Sequence, residues 1–132
     1  MSGSPNDAVT VVHVYPDYAE SCLWLSVPVD YALTGLSDDL VDQLKAWEQS
    51  YYDGLTSDLA WRSAEAEDAF SAVGRRLGRL LARELGDGFE VEVSSTRIRG
   101  RGPASNPRAE AAFRRLADER RLAEDEQPAQ RT

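Results

Sequence analysis

Apolar residues crowd two short runs near the N-terminus, then recur every three to four residues in two long ones. VTVVHVY (Val9 to Tyr15) is rich in β-branched residues, with apolar side chains on both parities. That pattern predicts a strand covered on both faces, ended by Pro16 and Asp17. CLWLSV (Cys22 to Val27) predicts a second strand. One face carries Cys22, Trp24 and Ser26, the other Leu23, Leu25 and Val27. Pro28 ends it or confines it to an edge. The intervening PDYAES is short enough for a hairpin.

Ser37 is placed to cap a first helix, with Asp38 and Asp39 against the positive end of its dipole. Leu40, Leu44, Trp47 and Tyr51 follow on one face, and Asp53-Gly54 ends the run. Trp47 and Tyr51 therefore read as core. Tyr52, off the stripe, and Trp61, in the connection, are the candidate exposed aromatics. A second helix is expected over 64–85, capped by Ser63, with Glu65, Glu67 and Asp68 early and Gly86 as its stop. Phe70, Val73, Leu77, Leu80, Leu81 and Leu85 form its buried stripe. Gly74 and Gly78 inside it imply close approach by another backbone, from the sheet or the first helix. Arg76, Arg79 and Arg83 form a solvated face.

FEVEV (Phe89 to Val93) alternates cleanly, as a half-buried strand antiparallel to a neighbour does. Ile98 breaks the alternation, so the strand is expected to bulge or end near Ser95. RGRGPASNP is a loop, and Asn106-Pro107 suits Ncap and N1 of a further helix. The expected organisation is one α+β domain over 1–98, a basic Gly/Pro loop over 99–107, a C-terminal helix over 108–126 that docks or awaits a partner, and a disordered tail over 127–132. The order β-β-α-α-β-α implies two helices packed on one face of a small, mainly antiparallel sheet.

A chain of 132 residues suits a single domain with a real core. Its net charge of −8 is unevenly placed: residues 1–62 hold ten acids and two bases, whereas 63–132 hold thirteen of each. The acidic half also holds every Trp and Tyr. Such a field repels nucleic acid and attracts a basic partner. Fourteen of the fifteen bases are arginine, a usage typical of GC-rich bacteria. One cysteine allows no intrachain disulfide, and neither a signal pattern nor a membrane-length apolar run is present, so a cytoplasmic location is expected.

Chemistry is sparse. His13 is the only histidine and sits among valines, as a sheet histidine does. A Cys22–His13 pair across the hairpin would lack a third, orienting group. One Cys and one His cannot build a structural zinc site, and Asp38, Asp39 and Asp42 match no calcium loop. Gly100 and Gly102 lack the rest of a phosphate-binding fingerprint. RIRGRG can touch phosphates, but the overall charge opposes nucleic-acid binding. No enzyme activity, cofactor or metal is expected.

Leu23-Trp24, the Gly35-Leu36-Ser37 helix start, Trp47 and Tyr51, Trp61, and the LARELGDGFEV run from Leu81 to Val91 form a joint pattern. Over residues 9–93 the chain resembles small acidic actinobacterial proteins, some of which resemble immunity proteins of toxin systems. The resemblance implies a non-enzymatic inhibitor that binds a protein. The acidic half then supplies the expected contact surface, Asp38, Asp39, Asp42, Glu48, Tyr52, Asp53 and Trp61, for a basic toxin or enzyme. The alternative is a structural or regulatory subunit forming a homo-oligomer through the sheet edge and C-terminal helix.

Overall fold

The computed structural model describes residues 9–16, 21–25 and 28–125. Strands β1 (Thr10–Val14) and β2 (Leu23–Trp24) are followed by helices α1 (Asp38–Asp53) and α2 (Ala64–Leu85). Strands β3 (Phe89–Val93) and β4 (Thr96–Arg99) and helix α3 (Pro107–Asp125) complete the chain. The expected hairpin connection at 17–20, the end of the second strand at Ser26 and Val27, and the tail at 127–132 lie outside the described residues.

The four strands form one sheet in the order β2-β1-β3-β4. β1 pairs in parallel with β3, while β2 and β4 pair antiparallel at the edges. This corrects the expected order and the mainly antiparallel sheet: the order is β-β-α-α-β-β-α and the sheet is mixed. The extra strand arises at Ser94-Ser95, whose φ values of 50° and 64° form a two-residue turn between Val93 and Thr96. Two consecutive positive φ values match the twist of a tight hairpin.

Val12, Val14, Phe89, Val91 and Val93 are buried on one face of the sheet. They meet Leu40, Leu44 and Trp47 of α1, Leu77, Leu81 and Leu85 of α2, and Ala109 and Phe113 of α3. The opposite face carries half-buried Val11, His13, Glu90 and Glu92, and among the described residues no helix covers it. β1 is thus uncovered on one face, although its apolar run had implied cover on both. Its outer side chains are half-buried by strand neighbours instead.

The glycines of α2 set how closely the layers approach. A Cβ on Gly74 would lie 2.8 Å from the Trp47 ring, and one on Gly78 would lie 2.7 Å from Val93 Cγ1. The close neighbours are thus side chains of α1 and the sheet, rather than another backbone. Trp47 lies across this notch, buried, and its Nε1 donates to the Phe70 carbonyl at 2.9 Å.

The segment after β4 seals the C-terminal end of α2, whose last carbonyls have no partner within the helix. The Ser105 and Asn106 amides donate to the Arg83 and Glu84 carbonyls at 3.1 and 3.2 Å. Asn106 then caps α3, its Oδ1 accepting from the Ala109 amide at 3.3 Å. The start of α3 is docked: Ala109 and Phe113 are buried, and Phe113 meets the Phe89 ring edge-on at 6.2 Å. Leu122, farther along α3, is exposed.

Candidate protein-binding site

Helix α1 forms because its cap and apolar stripe agree. Ser37 Oγ accepts from the Leu40 amide at 3.3 Å, and Asp38 and Asp39 occupy the first turn. Burial of Leu40, Leu44 and Trp47 fixes which side faces water. At 100° per residue, Asp38, Asp42, Gln49 and Asp53 fall on the opposite side. All three of these aspartates are exposed. Asp39 lies toward α2 and accepts from Gln43 Nε2 at 2.9 Å. Arg76 of α2 reaches the same Gln43, its guanidinium 3.2 Å from Oε1.

The expected contact residues fall into two groups. Asp38, Asp39 and Asp42 sit at the start of α1. Glu48, Tyr52, Asp53 and Trp61 gather toward its end; at 1.5 Å per residue Asp38 and Asp53 lie about 22 Å apart, and Asp42 and Glu48 about 9 Å. Tyr52 donates its hydroxyl to Glu48 Oε2 at 3.0 Å. Asp53 accepts from Gln49 Nε2 at 3.0 Å, and its carbonyl accepts from Arg62 Nε at 3.1 Å.

Tyr52 and Trp61 are both half-buried, not exposed anchors. The Trp61 ring packs against Tyr51 at 5.6 Å and Phe70 at 5.2 Å, and Phe70 stacks on Trp47 at 4.3 Å. Trp61 also lies over Gly54, where a Cβ would come within 2.7 Å of its ring. The aromatics that crowd residues 45–61 thus mostly join α1 to α2.

Sequence reasoning passed over the apolar side chain that does stand out. Leu59, in the connection beside Trp61, is 67% exposed. Two leucines, Leu55 and Leu59, lie between Gly54 and the Ser63 cap, and nothing in their spacing separates the buried one from the exposed one.

The Cys22 and His13 side chains have different partners. Cys22 is buried with its sulfur 3.2 Å from the Tyr31 hydroxyl. Burial foremost pushes its thiol up to about 12, the negative charge of Glu48 adding to the effect. Burial likewise raises the Tyr31 hydroxyl, with Cys22 adding to it. A thiol so held is protonated and weakly nucleophilic at neutral pH. His13, across from Glu92 in the β1–β3 register, pairs with that carboxylate on the outer sheet face. Arg97 extends the row, 3.5 Å from Glu92 and 2.8 Å from Glu90. On the same face Tyr15 stacks on Trp24 at 4.9 Å. Among the described residues, no group of three or more His, Cys, Asp or Glu is placed to hold a metal ion, and no helix is long and apolar enough to cross a membrane.

The family model described as Serratia CdiI immunity protein-like matches residues 10–96. The chain belongs to this family. The match runs from β1 to the start of β4 and includes α1, α2 and all seven expected contact residues. The CdiI-like region thus ends before α3. No curated protein and no solved structure matches the chain.

Proposed function

We propose that this chain is a non-enzymatic immunity-type inhibitor that binds a basic toxin in the cytoplasm through the acidic face of α1. Membership of a CdiI immunity protein-like family carries the reading. The placement of charge supports it: Asp38, Asp42 and Asp53 lie exposed along one side of a helix whose other side is fixed in the core. A rigid row of carboxylates speeds encounter with a positive surface and selects against acidic ones. Blocking a toxin needs only that surface, with no reacting group of its own.

Affinity capture tests the reading. Tagged protein, incubated with host lysate, is expected to retain one basic toxin at low salt and less of it at high salt, because screening shortens the field. Retention of only its own copies, or of nothing, would overturn it.

A further inference from the structure

The connection between α1 and α2 holds a leucine where the backbone disfavours one. Leu59 has φ +65°, in the left-handed region that glycine or asparagine enters at little cost. The residue is 67% exposed, so its own burial does little to offset that conformation. The loop around it is closed by its own hydrogen bonds. The Thr56 amide donates to the Ala60 carbonyl at 2.7 Å, and the Leu59 amide to the Thr56 carbonyl at 2.9 Å. Thr56 Oγ1 accepts from the Asp58 and Ala60 amides at 3.3 and 3.4 Å. The base is fixed by buried Leu55, which bridges Trp61, and by the Arg62 amide, which donates to the Gly54 carbonyl at 2.8 Å.

A strained conformation held by its surroundings, on a residue that does not stabilise the fold through burial, points to function. The loop orders an apolar side chain in advance, which lowers the cost of burying it in a partner. Its electrostatic setting defines that partner. Residues 46–69 carry six acids and one base, Arg62, whose Nε is engaged by the Asp53 carbonyl.

We propose that Leu59 is the apolar anchor of the partner-binding surface, entering an apolar pocket with a lysine- or arginine-rich rim on the toxin. The proposal rests on the immunity-type reading and adds an element to it. The acidic face governs encounter, and Leu59 governs how long the complex lasts.

The test uses the captured toxin, identified by mass spectrometry, expressed separately and measured by surface plasmon resonance. Leu59→Asn suits the left-handed backbone while removing the apolar group. It is expected to raise the dissociation rate about tenfold or more, the loss that follows when a leucine is no longer buried. The association rate should stay within about twofold, and the melting temperature should hold or rise. An unchanged dissociation rate, or a Tm several degrees lower, would overturn the anchor. If Leu59→Asn has no effect but Asp42→Lys/Asp53→Lys slows association, the anchor fails and the immunity reading stands. If nothing is captured, both fail. A wild-type dimer that Leu59→Asn dissociates would make a second copy the occupant and overturn the proposal.

Discussion

Ser37 donates its hydroxyl to Glu84 Oε2 at 2.6 Å, and its amide donates to Oε1 of the same carboxylate at 3.1 Å. The cap of α1 is thus tied to the last turn of α2. Asn106, the cap of α3, donates to Glu84 Oε1 at 2.9 Å and to the Gly35 carbonyl at 3.0 Å. One carboxylate joins three helices and sits at the positive ends of two of them. This junction orients the turn that carries Asp38 and Asp39.

Glu84→Ala should therefore destabilise the fold by about 2–3 kcal/mol, the range for losing hydrogen bonds to a charged acceptor. Glu84→Gln keeps one acceptor and should lose less. Urea unfolding monitored by tryptophan fluorescence measures both. A loss below about 0.5 kcal/mol for the alanine variant would mean that the junction contributes no more than an ordinary surface contact.

Gly78→Ala sets helix propensity against packing. Alanine gains about 1 kcal/mol over glycine inside a helix. Its Cβ would sit 2.7 Å from Val93 Cγ1 and 2.9 Å from Ile98 Cδ1, and overpacking of that kind costs about 1–3 kcal/mol. Packing should win, and Tm should fall. Adding Val93→Ala to Gly78→Ala should relieve the clash, so the double variant should lose less than the two single losses combined. A higher Tm for Gly78→Ala alone would show that α2 can move away from the sheet without penalty.

Alkaline pH should unfold the protein through Cys22. Its thiol ionises near 9.0 when unfolded and only at about 12 when folded. Between those values the unfolded chain binds fewer protons than the native one, so stability falls as pH rises. One such group lowers stability by about 1.4 kcal/mol per pH unit across the window. Tyr31, also raised, acts in the same direction at higher pH. Denaturant midpoints at pH 8 and pH 10.5 check this, with Cys22→Ser as the control for the thiol's share. An identical pH dependence in wild type and Cys22→Ser would contradict it.

Local signals in the sequence were legible. Ser37, Ser63 and Asn106 each cap a helix, because a cap depends on a few adjacent residues. The core stripes of α1 and α2 were readable for the same reason. The sheet was harder. β1 and β3 lie about eighty residues apart, and neither run encodes that they pair in parallel. The β3–β4 hairpin was hidden because Ser94-Ser95 is not a dipeptide that favours two positive φ values. At the candidate site, sequence placed the carboxylates but could not separate Trp61, held by Tyr51 and Phe70, from Leu59, held out in water.

Replacing Ser94-Ser95 with Asn-Gly should consequently stabilise the fold by about 0.5–1 kcal/mol, since both residues then suit the turn. Thermal unfolding reads the gain. A loss would mean that the serine side chains contribute more than the backbone strain costs.

The most direct test of the central claim is the association rate of Asp42→Lys/Asp53→Lys with the captured toxin, measured at low and high salt. Both residues are exposed on α1, and circular dichroism is to be run on the variant to check that it is folded. The acidic-face account predicts a rate about tenfold or more below wild type at low salt, with the gap narrowing at high salt. Equal rates for variant and wild type at both salt concentrations would contradict it.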